Sequence, residues 1–466
     1  MTLLTLLLLA CTPASVVGDD TGGGGDGGTS GDGGTGGDGG FTVPDMEISE
    51  LSWSLHDEVE AMVWVSWAQD QSGQVRVEYS FENDEWHQTR EKLGTAGRNQ
   101  VLVVGVPFGT TASWRVVSEG GVTVEGDPFT TGDVPSDLPL ASVEVLEEDK
   151  LLPTGKYLLS SINADRGGWT GGDYWTFIVD RKGRPVWASL APNRHWTIFA
   201  QVALSGDHIL WDEATYWSDW DSGAGSTVHR TYLDQEIEEI ATPGLHHAFV
   251  QLPDDTLAWG SQYHGGGEAL VERAPGSDVV TTVWTASGEW PGSGRDPESN
   301  GLFYDAERNS YLYSYYTNSS VVEVDRATGK SLWWAGEVGG GYAFSPSTTQ
   351  FTWQHGISYT EAGTLLVSTH KQDGSMTIAR EYEVDHENET LNHIWSYDSG
   401  VYADTNGDTW RLENGNTLHL VGSSGHLFEV AADSSIVWHL DFNANKLLGR
   451  GQLIEDLYDL VSPEAR

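Results

Sequence analysis

The sequence predicts an all-β protein, in which a small β-sandwich of fibronectin type III style precedes a six-bladed β-propeller. The first observation is a phrase that recurs after residue 150: short apolar runs alternate with Gly- or Asp-bearing turns and end in a strand that usually contains Trp. The second is its period of roughly 40–50 residues with about four short strands per unit, which is typical of propeller blades. The third is a separate stretch of period-two strands before residue 133.

Two copies of the recurring phrase show the pattern clearly. They are HHAFVQLPDDTLAWG at 246–260 and QHGISYTEAGTLLVS at 354–368. In both copies a histidine, His247 or His355, is followed nine residues later by a threonine at the end of a turn. One such unit cannot bury both faces of its sheet, so several must pack around a common axis. We therefore expect these histidines where the innermost strands begin, around the central channel.

The recurring units divide the region 153–462 into predicted blades; six is the favoured count, and five or seven stay open. Large aromatic side chains on short strands favour packing between blades, so most of the 21 Trp residues are expected in the core. The final stretch, GRGQLIEDLYDL, is expected to return to the first blade and close the ring. The predicted blades lie at 153–190, 196–242, 245–287, 297–337, 353–399 and 408–442.

The region before the propeller divides into an anchor, a tether, a domain and a linker. Residues 1–11 are mostly apolar and end in LLAC, which resembles the bacterial lipobox, so they predict a lipoprotein signal peptide with Cys11 as the lipidated residue. Residues 12–42 are rich in Gly and Asp and cannot bury a core, which predicts a disordered linker. Residues 43–133 carry the period-two strands of the β-sandwich, and 134–152 form a second linker.

Charge and cysteine content restrict the partners of the chain. The formal net charge of −45 repels nucleic acid, which excludes nucleic-acid binding as a function. Cys11 is the single cysteine, so no intrachain disulfide and no cysteine-based metal site is possible. A lipid on Cys11 would attach the chain to a membrane at the bacterial cell envelope. Because Thr12 is not acidic, the outer membrane is favoured, on its periplasmic or surface side.

His246, His247 and His355 are the candidate catalytic residues. Imidazoles from different blades can act as nucleophile and orienter, as acid and base, or as metal ligands. Their spacing leaves these roles open, and it equally allows a structural role in which they bind loop backbone.

The blade sequences resemble the bacterial arylsulfate sulfotransferase family. The resemblance rests on GLHHAFVQLPDDTLAWG, on DPESNGLFYDAERNSYLYSYYTNSSVVEVDRATGKSLWW and on FTWQHGISYTEAGTLLVS, in this order, and on the closing GRGQLIEDLY. It covers the whole propeller and implies six blades, no cofactor and no nucleotide sulfate donor. The implied reaction moves a sulfuryl group from a phenolic sulfate donor to a phenol acceptor through a sulfated histidine.

The resemblance also implies roles for individual residues. His355 in TWQH matches the family's nucleophile, and the His246–His247 pair matches its first hub histidine motif, with His247 facing inward. Asn300 and Arg450 stand at retained substrate-binding positions.

Two substrate-binding positions depart from the family pattern. Glu298 stands where a further histidine is expected. Tyr316 stands where an arginine is expected; Thr317 and Asn318 are the alternative equivalents, and none of the three is cationic. Losing a cation beside a sulfate is expected to raise the barrier, since one donor to a developing oxyanion is worth about 3–4 kcal/mol. Positive charge from Lys371, His370 or Arg411 on neighbouring loops would offset this loss.

Two other functions therefore stay open. The first is a non-catalytic cell-surface propeller that binds a ligand or a protein partner, which the departures at Glu298 and Tyr316 favour. The second is a hydrolase or redox propeller with bound calcium or quinone, which no sequence feature requires. The stretch DTNGD at 404–408 favours an acidic turn over a calcium loop, because no bidentate Glu follows at EF-hand spacing.

Overall fold

The computed structural model describes residues 46–83, 85–163, 173–219, 222–262, 268–290, 298–442 and 446–466. Their regular secondary structure is almost entirely β-strand, which confirms the predicted all-β class. None of their helices is both long and apolar enough to cross a membrane. The predicted signal peptide, Cys11 and the linker at 12–42 lie outside the described residues. The helical segments are α1 Thr215–Asp219, α2 Ala286–Glu289 and the 3-10 turns Glu148–Lys150, Ser347–Thr349, Gly422–Ser424 and Leu457–Leu460.

Nine strands form the β-sandwich, and their inward side chains alternate with outward ones. In the second strand Val63, Val65 and Trp67 are buried at every other position, as the pleat of a half-buried strand requires. The strands are β1 Ile48–Leu55, β2 Val63–Gln69, β3 Gly73–Ser80, β4 His87–Gln88, β5 Lys92–Gly94, β6 Gly97–Val103, β7 Thr111–Ser118, β8 Thr123–Glu125 and β9 Phe129–Thr130. One sheet has the order β1-β2-β6 and the other β4-β3-β7-β8, with β5 pairing β3 and β9 pairing β7.

The remaining strands build six sheets, which confirms the predicted number of blades. The first three blades contain β11 Tyr157–Asn163, β12 Tyr174–Asp180 and β13 Pro185–Leu190; then β14 Ala200–Val202, β15 Ile209–Glu213, β16 Thr227–Thr231 and β17 Glu236–Ala241; then β18 Leu245–Gln251, β19 Leu257–Ser261, β20 Ala269–Arg273 and β21 Val280–Thr285. The last three contain β22 Ser299–Asp305, β23 Ser310–Tyr315, β24 Ser320–Asp325 and β25 Lys330–Gly336; then β27 Ile357–Tyr359, β28 Leu365–His370, β29 Thr377–Asp385 and β30 Thr390–Asp398; then β31 Asp408–Arg411, β32 Thr417–Val421, β33 His426–Val430 and β34 Ile436–Asp441.

The two ends of the propeller sequence meet in blade 1. Strand β35, Gln452–Ile454, pairs antiparallel with β11 and supplies the innermost strand of that blade. The closing role predicted for GRGQLIEDLYDL is therefore confirmed. Backbone hydrogen bonds between β11 and β35 thus join the first and last parts of the propeller sequence within one blade.

Two strands lie outside the predicted blades, at their outer edges. Strand β10, Ser142–Val145, falls within the stretch predicted as a linker at 134–152, and it pairs with β34. Strand β26, Ala343–Ser345, runs parallel to β30. Their side chains are mostly exposed, so backbone hydrogen bonds rather than apolar burial hold these two strands in place. Their sequences therefore lack the hydrophobic alternation from which a strand is predicted.

One hydrophobic cluster runs from the sandwich into blades 1, 2 and 6. The C-terminal segment takes part in it: Tyr458 is buried against the sandwich, and the Leu102 N–H of β6 donates to the Ala465 carbonyl at 2.9 Å. Trp187, Trp333 and Trp438 of the blade-closing strands are buried, as predicted. This packing fixes the blades around the channel and so fixes the starts of their innermost strands.

Candidate functional site at the propeller hub

The innermost strands of the six blades, β35, β14, β18, β22, β27 and β31, begin at the same end of the channel. The structure brings four of the predicted positions to this end, at or just before strand starts: His247, Asn300, His355 and Arg450. A small cavity at the hub has a wall built from residues of five different blades. Its lining includes Phe199, Asn300, His355, Asn406, Asp408 and Arg450.

His355 is held as a neutral imidazole with one nitrogen available. Its Nδ1 lies 3.0 Å from the Trp353 carbonyl oxygen, which can only accept, so Nδ1 carries the proton and Nε2 keeps the lone pair. Among the described residues Nε2 has no hydrogen-bond partner. Burial, assisted by the nearby His370, lowers the pKa of His355 to about 3. The ring therefore presents an uncharged nucleophilic nitrogen to the hub at any pH near neutrality.

A sharp turn sets the direction of the His355 ring. Trp353 has the left-handed φ of 49°, which reverses the chain just before β27. The His355 N–H donates to the Ser368 carbonyl at 3.0 Å, and the Ser368 N–H donates to the Gly356 carbonyl at 2.9 Å. The backbone on both sides of the imidazole is thus tied to β28, which leaves the ring little freedom to move.

His246 and His247 form a hydrogen-bonded chain with a buried carboxylate. The Nδ1 atoms of the two rings are 2.7 Å apart, and His246 Nε2 lies 3.0 Å from Glu268 Oε2. When His246 Nε2 donates to Glu268, His246 Nδ1 accepts from His247 Nδ1, and His247 Nε2 carries a lone pair. A proton taken up at His247 can pass to His246, where the Glu268 carboxylate faces the resulting charge.

Glu268 is a component of the site that the sequence reasoning missed. Its side chain is fully buried, it accepts from the Ser299 hydroxyl at 2.6 Å, and it also accepts from the Tyr313 hydroxyl. A buried carboxylate needs such partners, and His246 is its one ion-pair partner within the described part of the chain. The available signal was a lone carboxylate directly before the apolar run ALV of β20.

Two tryptophan rings pack edge-on against His247. The ring centroids of Trp196 and Trp217 lie 5.7 Å and 5.2 Å from that of His247, both edge-on. Burial, together with the nearby His246 and His355, lowers the pKa of His247 well below its ordinary value. Because a charge on His355 disfavours one on His247, the two imidazoles lie within electrostatic reach of each other across the hub.

Glu298 and Tyr316 reach the same region, but neither brings a cation. The Tyr316 ring centroid lies 5.1 Å from that of His355, and the Tyr316 N–H donates to the Glu298 carbonyl at 3.0 Å. Burial raises the pKa of the Glu298 carboxyl; nearby His246 opposes this shift and Glu268 adds to it. Burial, together with Asp404 and Glu298, raises the pKa of the Tyr316 phenol. Tyr316 is therefore a neutral hydroxyl beside the nucleophile, and Glu298 is an acidic side chain where the family pattern has a histidine.

Arg450 is the cation of the hub, and it is paired. Its Nε lies 3.0 Å from Asp408 Oδ2, and its guanidinium stacks on Trp410 at 4.0 Å from the ring centroid. Burial raises the pKa of Asp408, and the charge of Arg450 works against that shift. The stretch DTNGD is therefore more than an acidic turn: its last residue enters the channel and neutralises the arginine.

Asn300 supports the site through the backbone that carries His355. Its Nδ2 donates to the Gln354 carbonyl at 2.6 Å, and its Oδ1 accepts from the Ser314 hydroxyl at 2.9 Å. Gln354 in turn donates from its side-chain amide to the Tyr315 and Ser320 carbonyls. These bonds anchor the residue before His355 to blade 4 as well as to its own blade.

The loop cations expected near the hub are engaged elsewhere. The Lys371 ammonium forms an ion pair with Asp398, and Arg411 Nη2 lies 2.5 Å from Glu381 Oε2. His370 Nε2 lies 2.6 Å from the Ala403 carbonyl oxygen, and burial lowers its pKa. Each of these residues therefore has a partner of its own, and a supply of positive charge to the site from them stays a prediction.

These features define a six-bladed β-propeller whose hub holds a neutral histidine and a hydrogen-bonded pair of two further histidines. Residues 303–443 match the family model described as Arylsulfotransferase (ASST). The match includes Tyr316 and His355 and stops short of the His246–His247 pair and Arg450. No curated protein matches the sequence of this chain.

Several solved structures are similar to this chain at low identity. A protein of unknown function from Bacteroides caccae is 16% identical over 61% of this chain and 93% of its own, with a TM-score of 0.42. The Cps50 (Swd1) β-propeller domain of Myceliophteria thermophila is 10% identical over 66% and 95%, with a TM-score of 0.40. Virginiamycin B lyase from Staphylococcus aureus is 9% identical over 65% and 89%, with a TM-score of 0.37.

Proposed function

We propose that this protein transfers a sulfuryl group between phenolic compounds through a histidine intermediate, without a nucleotide sulfate donor. The observation that carries the proposal is the state of His355: its Nδ1–H donates to the Trp353 carbonyl, which leaves the lone pair on Nε2, and the residue lines the hub cavity. The family match over residues 303–443 supports the same class of reaction.

In the first half-reaction His355 Nε2 attacks the sulfur of an aryl sulfate. The N–S bond forms, the S–O bond to the aryl group breaks, and a phenolate leaves. An unassisted phenolate is a poor leaving group because its conjugate acid has a pKa near 10. For this step the pair starts with one extra proton: His246 carries the positive charge against Glu268, its Nδ1–H donates to His247 Nδ1, and His247 Nε2 bears the proton that passes to the phenolate oxygen.

In the second half-reaction an acceptor phenol attacks the sulfated His355. Its O–S bond forms while the N–S bond breaks, and its proton passes to His247 Nε2 and onward toward His246. The relay thereby regains the proton that it gave to the first phenolate, and His355 returns to its neutral state. Arg450 and the unpartnered Nδ2 of Asn406 are the donors near the sulfuryl oxygens.

A turnover assay with 4-nitrophenyl sulfate as donor and phenol as acceptor tests the proposal. Nitrophenolate release that depends on phenol is expected from the full chain and is expected to vanish in His355→Ala. His386→Ala, which removes an exposed imidazole elsewhere, is the matched control and should keep the rate. Equal release from both variants, or none from folded wild type over several donors and pH values, contradicts sulfuryl transfer at His355.

A non-catalytic binding propeller is the second candidate function. The cavity directly beside His355 measures about 10 Å³, which is room for roughly one water molecule. The opposite mouth of the channel holds about 490 Å³ and is lined by Phe303, Tyr304, Trp410 and Arg450 among others. An aromatic ligand bound there, with unchanged affinity in His355→Ala and no turnover, would favour this second function.

We also propose that the chain is anchored at the bacterial cell envelope through a lipid on Cys11. The proposal rests on the apolar run before LLAC and on the Gly- and Asp-rich stretch after it. Radiolabelled palmitate should enter wild-type protein and not Cys11→Ser, and the wild type should fractionate with outer membranes. Equal labelling of both proteins, or none of either, contradicts the anchor.

A further inference from the structure

A second cluster of ionisable side chains lies away from the hub, on the outer strands of blade 2. It consists of His229 on β16 and of Glu236 and Glu239 on β17. One ligand atom from each residue lies within 4.8 Å of the others. The imidazole is buried, whereas both carboxylates are exposed to solvent.

A β-bulge places the three residues on one face of the sheet. His229 is directly opposite Glu239, but the next residues pair as Arg230 with Glu238 and Thr231 with Glu236, so one extra residue of β17 lies between them. Regular pairing would turn Glu236 to the other face. The bulge instead aims Glu236 and Glu239, three positions apart, at the same imidazole.

The His229 ring is oriented from behind by a buried carboxylate. His229 Nε2 lies 3.1 Å from Glu213 Oε2, and Glu213 also accepts from the Asn193 side chain at 2.9 Å. Trp211 stacks on the ring with centroids 4.0 Å apart. With Nε2–H donating to Glu213, Nδ1 can carry a lone pair toward the two glutamates. Histidines that bind metals characteristically donate their second nitrogen to a carboxylate in this way.

The donor set fits a divalent transition-metal ion. One imidazole nitrogen and two carboxylate oxygens suit Zn²⁺ better than Ca²⁺ or Mg²⁺, which prefer oxygen ligands alone. His229 Nδ1 and Glu236 Oε1 are 3.0 Å apart, close to the roughly 2.9–3.3 Å expected for two ligands each about 2.0–2.1 Å from a shared ion. Within the described ranges neither Glu236 nor Glu239 forms an ion pair with a Lys or Arg.

We propose that His229, Glu236 and Glu239 form a Zn²⁺ site on the propeller wall that faces the sandwich, independent of the hub. His229 and Glu236 line a cavity of about 540 Å³ between the two domains, together with Glu58 and Trp187 among others. Three protein ligands leave coordination positions open toward this cavity for water or a ligand group. Two carboxylates and the buried Glu213 supply the negative charge that a divalent cation balances.

The role of Glu239 distinguishes a metal site from an ion pair that only supports the structure. His229 hydrogen-bonds to Glu213 and Glu236, and no hydrogen bond or ion pair joins it to Glu239. If the cluster only holds a charged imidazole, Glu239 is dispensable. If it holds a metal, Glu239 is the third ligand. Glu238, one residue earlier and opposite Arg230, is the matched control on the same strand.

The experiment is calorimetric titration of Zn²⁺ into untagged full-length protein after removal of metals with a chelator. Wild type and Glu238→Gln are expected to bind one ion tightly, while Glu239→Gln is expected to weaken this binding at least 10-fold. Zn²⁺ should raise the Tm of the first two proteins and leave that of Glu239→Gln unchanged. Absence of tight binding in wild type, or equal binding by both variants, overturns the proposal.

His229→Gln is the second variant, with circular dichroism to check its fold. If it stays folded, it should lose the same Zn²⁺ binding as Glu239→Gln. Retention of wild-type Zn²⁺ affinity by folded His229→Gln also overturns the site. Glu239→Gln alone suffices for the test if His229→Gln does not fold, because Glu239 is exposed and makes no bond to the imidazole.

Discussion

His246 and His247 are neighbours in the chain, and their Nδ1 atoms lie 2.7 Å apart, so one nitrogen must donate where the other accepts. The protonation of the two rings is therefore coupled. Glu268 extends this coupling by accepting from the far nitrogen of His246. The arrangement moves charge away from the hub, where a second cation beside His355 is disfavoured.

Replacing Glu268 by Gln should slow sulfuryl transfer by roughly 10–100-fold, because His246 loses the carboxylate that stabilises its protonated form. The KM for the donor should change little, since Glu268 is buried behind the histidines. Steady-state kinetics separate the two parameters. Glu361→Gln, an exposed glutamate on a blade turn, is the control. An unchanged kcat in folded Glu268→Gln would show that the relay carries no proton in the rate-limiting step.

Restoring the expected cations should raise activity. In Glu298→His with Tyr316→Arg a carboxylate is removed and a guanidinium is added beside His355, and both changes favour an anionic transition state. We expect at least a 10-fold gain in kcat/KM for 4-nitrophenyl sulfate, since one such donor is worth about 3–4 kcal/mol. The same pair of substitutions in a His355→Ala background should give no gain. A gain there would point to a different nucleophile.

The rate of the first half-reaction should not fall as the pH is lowered from 8 to 5. Burial lowers the pKa of His355 to about 3, so its attacking nitrogen stays unprotonated over this whole range. An ordinary histidine would lose half of its reactive form near pH 6.5. Single-turnover release of nitrophenol, read after an alkaline quench, measures the profile. A decline centred near pH 6.5 in folded protein would contradict a pre-formed neutral nucleophile.

Burial of His419 should make the fold less stable in acid. Burial lowers the pKa of His419 to about 3 in the folded protein. In the unfolded chain His419 takes up a proton near pH 6.5, whereas in the folded chain it stays neutral until the pH approaches 3. Stability from this residue is complete above pH 6.5 and is lost as the pH falls toward 3. The wild type should lose about 2 kcal/mol more than His419→Gln between pH 7 and 5. Urea unfolding at the two pH values measures this difference, and parallel losses would refute it.

The architecture could be predicted from the sequence because the pattern that defines a propeller blade lies within a short stretch of chain. Each blade repeats the same alternation of apolar runs and turns, so the period favoured six blades over five or seven and suggested that the last strand returns to the first. The outer strands β10 and β26 escaped prediction because their side chains face solvent and only backbone bonds hold them. Similarly, the short phrase around His355 was sufficient to place that residue at the start of β27.

Which side chains form hydrogen bonds and ion pairs with each other depended on the tertiary structure alone. By itself the sequence determined the fold class, the six blades and the histidines at the hub, because period and residue type are local. It did not determine that Glu268 faces His246, that Asp408 neutralises Arg450, or that Lys371 turns to Asp398. Each of these contacts joins residues of different strands or loops, and its existence depends on distances of a few ångströms that only the packed blades set.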